Sequence, residues 1–316
     1  MLLTIINCTG SSYKEVPTGG SAAWTITPNS GYKTEGATFS PSGCGTISGS
    51  TVTISNVHNA HTCTVTLQSS DPLKYFTYTG DYAIKKASDY NLDTSNGDYT
   101  VLALLDDGTL TFGSAFSVDI FAVGGGGNGG IYNSTFFPRG GGGGGGYTNT
   151  WKNLTVTSAN IPVTIGGAGE TTSISIGGTT YSSAGGSSGS NGGSSSGGRG
   201  GDGGSGGGGG TNANSGDVAG GGGYDGKNGS AAYIVTGYPG GSGGTGQGTT
   251  TRAFGESSAT MFAGGGAGGN NGAGGAGGGG NGNSKGEDNT GGGGGGSSSS
   301  TRYAGGSGII LIRVHK

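Results

Sequence analysis

The chain has 316 residues, a net charge of −3, an apolar fraction of 29% and a charged fraction of 10%. Ordinary globular domains run at about 45–50% and about 25%, so a side-chain core of the usual kind is excluded over much of the length, and the charge gives no nucleic-acid footprint. Glycine supplies 84 residues, 12 of them in residues 1–123 and the other 72 in residues 124–308.

The chain begins "MLLTIINCTGSSYK", with no basic residues before its apolar ones, and no apolar run of 18 residues occurs anywhere. Neither a secretion signal nor membrane insertion is expected. Residues 1–70 alternate apolar and polar positions in "GGSAAWTITPNSGY", "ATFSPSGCGTISGSTVTISNV" and "TCTVTLQ", with turn residues between. The pattern predicts a small β-sandwich, with a boundary near Ser69–Pro72. Three cysteines, Cys8, Cys44 and Cys63, give an odd count. Cys44 and Cys63 either bridge the sandwich or stay as small buried thiols. "HNAHTC" sets His58 and His61 beside Cys63, but the spacing matches no recognised zinc set, and no metal site is assigned.

Residues 71–123 form a second region of strands. "DYNLDTSNGD" gathers Asp89, Asn91, Asp93 and Asp98, without the glycine and terminal glutamate of an EF-hand, and reads as a polar turn. "DYTVLALLDDGTLTFGSAFSVDIFAV" reads as strand, an Asp106-Asp107-Gly108 hairpin turn, strand, loop and strand. No helix is convincing; "YAIKKASDY" is the best and is short.

Glycine then takes over. Gly140–Gly146 is seven glycines in a row. Such a composition ordinarily reads as linker or disordered tract. Collagen fails, because no strict Gly-X-Y period is kept and the chain has only 7 prolines. An ordered alternative is a bundle of polyglycine-II helices. Each has about three residues per turn and no internal hydrogen bonds, so its N–H and C=O groups must bond to neighbouring helices. Only glycine permits that approach, since any Cβ would hold the helices apart. The region is framed by "VDIFAV" and by "IILIRV" (residues 309–314), two apolar β-branched runs expected to pair and close residues 124–316 into one unit. Three more short strands are expected inside it, near 153–157, 161–165 and 172–181. The fold class is thus all-β plus a polyglycine-II helix bundle.

Glycine density imitates catalytic motifs. Gly221–Lys227 fits a phosphate-binding loop until Asn228 replaces the required Ser or Thr. The G-x-S-x-G matches at 185–189 and 203–207 lack a strand–turn–helix frame. Carboxylates beyond residue 124 are sparse, and the neighbours Glu287 and Asp288 read as a solvated turn. No catalytic residue and no cofactor are assigned, and the chain is not expected to be an enzyme. What remains are inserts between glycine runs. "IYNSTFFPR" carries Tyr132, Phe136, Phe137 and Arg139, and "YDGKNGSAAYIVTGYP" carries Tyr224, Lys227, Tyr233 and Tyr238. "TTTRAFGESSATMF", "SKGEDN" and "STRY" follow. Aromatic and charged residues on loops of a rigid scaffold suit recognition; the same aromatics equally suit covering the flanks of the scaffold.

From about residue 75 to the end, the order of "FTYTGDY", "NGDYTVLALLDDGTLTF", "VDIFAVGGGGNGG", "VTIGGAGE", "GGTGQGTTTRAFGE", "MFAGGGAGG" and "GGSGIILIRV" resembles the glycine-rich tail proteins of phages and prophages of gut Firmicutes. The plan, though not the sequence, is similar to the polyglycine-II adhesins on the tail fibres of T-even-like phages. The resemblance implies a virion protein, extracellular after lysis, that binds a host cell-surface glycan or protein and contacts other tail or fibre proteins. A homotrimer and a single-chain slab both fit. Residues 1–70 resemble a β-module of bacterial surface and phage proteins and would be a spacer or attachment domain. A purely structural tail protein, or a bacterial surface or ice-binding protein, remains the alternative.

Overall fold

The computed structural model describes every residue except 1, 7, 11–12, 30–31, 58–61, 70–75, 96, 114, 133–138, 158, 194–195, 212–217, 225, 233–250, 270–271 and 315–316. It divides into two compact units, Met1–Tyr75 and Phe76–Lys316.

In the first unit, β1 (Leu2–Ile6), β7 (Thr62–Ser69) and β4 (Tyr32–Ser40) form one sheet, with β1 parallel to β7. A second sheet has the order β2 (Cys8–Gly10), β3 (Gly20–Pro28), β6 (Thr51–Val57) and β5 (Thr46–Ser48). The period-two pattern of β3 turns Ala22, Trp24 and Ile26 inward. They meet Val52 and Ile54 of β6 and Leu3, Val65 and Leu67 of the other sheet in one core. Cys44 and Cys63 form a disulfide, while Cys8 is a buried thiol. Their sequence separation is 19 residues, and closing a loop of that size restricts the unfolded chain by about 3 kcal/mol. The bridge takes both thiolates out of any zinc set; His58 and His61 lie outside the described residues.

The second unit holds two five-stranded sheets. One has the order β13 (Thr148–Val156), β12 (Phe116–Val123), β17 (Ile309–Val314), β10 (Thr100–Leu104) and β9 (Tyr82–Lys86). The other has β16 (Thr179–Ser183), β15 (Thr172–Ile176), β14 (Ile161–Thr164), β11 (Gly108–Phe112) and β8 (Phe76–Tyr78). The two apolar runs that frame the glycine region do pair: β12 and β17 are antiparallel, with Ile120 opposite Ile312. Both are buried on both faces, which explains why they read as continuous apolar runs. Val101, Ala103, Phe121 and Leu311 extend this core to Phe254 and Phe262. Strands from residues 76–123 share both sheets with strands from the glycine-rich side.

One sequence expectation is corrected. Asp106-Asp107-Gly108 is no hairpin, because β10 and β11 belong to different sheets. The segment carries the chain from one sheet to the other. Asp107 Oδ1 accepts the N–H of Ile165 at 2.7 Å. A Cβ on Gly108 would lie 2.7 Å from the nitrogen of Gly80, so glycine is required here for close approach, not for a turn. The run 172–181 resolves into β15 and β16, joined by Gly177-Gly178 at φ of 57° and 82°, the signs a two-residue hairpin needs.

The described chain is therefore all-β with a glycine-rich domain, and no α-, 3₁₀- or π-helix occupies the described glycine tracts. Their backbone bonds instead cross between tracts. Every N–H from Arg139 to Tyr147 donates to another tract, over 2.8–3.1 Å. Residues 139, 142 and 145 donate to Thr211, Gly208 and Ser205; 140, 143 and 146 donate to Ser297, Gly294 and Gly291; 141, 144 and 147 donate to Ser190, Ser187 and Ala184. Carbonyls of the same tract accept from three further tracts: from Gly198, Gly201 and Gly204, from Gly266 and Gly269, and from Gly124, Gly127 and Gly130. One strand of glycine is thus surrounded by six neighbours and bonded to all of them. Gly140–Gly146 are all buried, and their polar backbone groups are satisfied without any side chain.

Candidate recognition surface

The tracts have two distinct ends. Residues 124–131 leave β12, and residues 139–147 return antiparallel to them into β13, with Gly124 bonded to Tyr147 and Gly130 to Gly141. Ala184 and Gly308 also lie at the sheet end, each next to a strand, and Gly291 bonds to Gly146 and Ser307, each two residues from a strand. At the far end, Arg139 bonds to Thr211, Gly140 to Ser297, Gly141 to Ser190, and Gly269 to Gly140.

Tyr132 and Arg139 belong to this far end. The Arg139 guanidinium lies 5.8 Å from the centre of the Tyr132 ring, a cation–π distance. Its Nη1 donates to the Ser298 carbonyl at 3.2 Å, and the Tyr132 N–H donates to the Ser299 carbonyl at 2.9 Å. The loop at Ser297–Thr301 is itself fixed by hydroxyls: the Ser299 N–H donates to Ser297 Oγ, and the Ser298 N–H to Asn283 Oδ1. Arg302 completes the group. Its Nη1 donates to the Gly129 carbonyl at 3.0 Å, and its Nη2 to Asn191 Oδ1 at 3.2 Å. Asn191 Oδ1 also accepts the N–H of Ile131. Two guanidinium groups, one aromatic ring, an amide and a serine-rich loop are thereby held together by bonds to fixed backbone.

Tyr224 and Lys227 are elsewhere. The Tyr224 N–H donates to Gly203, the Lys227 carbonyl accepts from Gly206, and the Tyr224 ring is 6.0 Å from that of Tyr147. Tyr147 is the sheet-end residue of the tract that Arg139 opens at the far end, so the two pairs sit at opposite ends. Tyr224 is 84% exposed. Phe136, Phe137, Tyr233 and Tyr238 lie outside the described residues. Asn191 and Ser298 were missed by sequence reasoning, since nothing sets them apart in a tract of glycine, serine and asparagine; Arg302 was visible as the arginine of "STRY".

The charged groups at the sheet end are committed to structure. Asp98 accepts both the N–H and the hydroxyl of Ser88, Asp89 the N–H of Lys86, and Asp93 the N–H of Ser95. Asn91 sits at φ of 52°, completing the polar turn read from the sequence. Asp119, on β12, is 1% exposed, yet Arg313 of β17 meets it at 3.1 Å. Arg313 also binds Glu256 and donates to the Tyr99 hydroxyl, and it lies 4.3 Å from the centre of the Phe254 ring. Burial works against the Arg313 charge, but the hydrogen bonds to Glu256, Tyr99 and Asp119 outweigh it and raise its pKa. Asp119 Oδ1 further accepts the N–H of Asn153, where β13 bulges. This network ties β12, β13 and β17 to one another and to the Tyr99 and Glu256 segments.

Among curated proteins no sequence matches this chain. The profile of the family described as "Glycine-rich domain" matches residues 106–315, from the segment linking β10 and β11 to the end of β17. The chain belongs to that glycine-rich domain family.

Proposed function

We propose that the glycine tracts are polyglycine-II helices and that they carry the recognition loops of a phage tail protein, which attaches the virion to a glycan or protein of the host surface by binding alone. The observation that supports this is the rotation of hydrogen bonds along residues 139–147, where every third N–H returns to the same neighbouring tract. A helix of about three residues per turn with no internal bonds has that periodicity. None of Gly140–Gly146 has φ in the left-handed region. A scaffold bonded through its backbone tolerates change in its end loops, and aromatic and arginine side chains on such loops offer contact area at small entropic cost. The far end, with Tyr132, Arg139 and Arg302, is the recognition face in this reading.

Exchanging Ile131–Arg139 for the equivalent segment of a related tail protein is expected to change which cells the protein binds while its melting temperature stays the same. Replacing Tyr224 and Lys227 with alanine is expected to leave cell binding unaltered. Unchanged cell binding by a folded loop exchange would assign the domain a purely structural role in the tail.

A further inference from the structure

We infer that the ligand of the far end is an anionic polymer, a phosphodiester-linked or carboxylate-bearing chain; the inference rests on the recognition reading above. The observation is a segregation of charge that the net value of −3 conceals. The described far-end residues 128–132, 139, 189–193, 196–199 and 297–303 contain no aspartate or glutamate and three arginines, Arg139, Arg199 and Arg302. Asp217 lies outside the described residues. Most described carboxylates lie beside the sheets, as Asp89, Asp98, Asp119, Glu170, Glu256 and Asp288, while Asp202 reaches the far end through its pair with Arg199.

The arginines differ in how they are used. Arg199 is neutralised by Asp202 at 3.0 Å. Arg139 and Arg302 take part in none of the ion pairs among the described residues. Their hydrogen-bond partners among the described residues are neutral: the carbonyls of Ser298 and Gly129 and the side-chain amide oxygen of Asn191. These bonds use one donor of Arg139 and two of Arg302, out of the five that each guanidinium carries. Arg139 is bonded to the Ser297–Arg302 loop through Ser298, and Arg302 is part of that loop, so two fixed positive charges with neutral partners belong to one end of the tracts. Their orientation is set before any ligand arrives, by the Tyr132 ring and by backbone acceptors, which lowers the cost of binding. A planar guanidinium pairs with phosphate or carboxylate through two parallel bonds, and the surrounding serine hydroxyls supply further donors. A neutral sugar would be better met by free carboxylate acceptors, and the carboxylate that reaches the described far end, Asp202, is already paired with Arg199.

The test measures binding of the full chain to poly(glycerol phosphate), to polygalacturonate and to neutral dextran, at about 50 and 200 mM salt, beside binding to a panel of whole bacterial cells. Binding to at least one polyanion, weakening with salt as screened charges must, and no binding to dextran are expected; the preferred polyanion separates phosphodiester from carboxylate chemistry. Arg139→Gln and Arg302→Gln are each expected to weaken polyanion binding about tenfold, with Arg302→Lys retaining more than Arg302→Gln, and Lys227→Gln without effect. Melting curves check that each variant is folded, and the lysine variant tests charge where glutamine perturbs the loop. Failure to bind either polyanion, or equal binding by the folded arginine variants, overturns the inference. If cells are still bound through the Ile131–Arg139 loop in that case, the recognition reading survives with a neutral ligand; if no cells are bound, that reading falls as well.

Discussion

One added methyl group separates a backbone core from a linker. A Cβ on Gly143 would lie 2.0 Å from the carbonyl oxygen of Gly127, far inside contact distance. The tracts must move apart, leaving buried N–H and C=O groups unpaired at about 1–3 kcal/mol each. Gly143→Ala is therefore expected to lower stability by at least about 3 kcal/mol in a thermal or denaturant melt. Gly193→Ala is the control, because the nearest atom to its Cβ is Ser196 Oγ at 3.3 Å and its φ is not left-handed; a change within about 0.5 kcal/mol is expected. Arg313 makes a different test. Arg313→Met strands Asp119 as a buried charge, a loss of about 3–5 kcal/mol that the same melts would register. Tyr90 gives a pH dependence. Burial, aided by the charge of Asp89, raises its pKa to about 12, above the unfolded value of about 10. Its contribution is complete below pH 10 and is lost as the pH rises through 12, because the unfolded chain ionises first. Melting temperatures are expected to fall over that window, less steeply in Tyr90→Phe.

At the scale of elements, strands were legible where their pattern was local. The β12 and β17 runs were readable because a strand buried on both faces is apolar throughout, and their pairing followed from being the only such runs at the borders of the glycine region. The Asp106-Asp107-Gly108 segment misled because a turn signal specifies a reversal and not the partner; β10 and β11 part company to join different sheets. The Asp119–Arg313 pair was invisible for a related reason, since its partners are 194 residues apart in sequence and each sits in a stretch that reads as plain strand. Tract directions were equally hidden. A run of seven glycines has no side-chain pattern to mark which neighbour each residue faces, although the need for inter-tract bonds was implied by the run itself. The separation of Tyr132 and Arg139 from Tyr224 and Lys227 depends on those directions, so the far-end cluster became visible only in the fold.

At the scale of the molecule, two kinds of core are present. Residues 1–75 form a side-chain core with one disulfide, whereas residues 76–316 join a side-chain core at the sheets to a glycine region held by backbone bonds. The second kind explains how a chain with 29% apolar residues orders so much of its length. Along the tracts the uses of charge differ, with carboxylates such as Asp98 and Asp119 tied into structure at the sheet end and Arg139 and Arg302 bonded to neutral groups at the other. Everything said of the far end depends on the tracts being rigid. Amide hydrogen exchange of residues 139–147 and 205–211, followed by mass spectrometry beside β12 and β17, tests this most directly. Protection of the glycine tracts comparable to that of the two central strands is expected, since every N–H from 139 to 147 is bonded and opens only with the unit. Exchange of these amides at the rate of an unstructured chain, while β12 and β17 stay protected, would contradict the account.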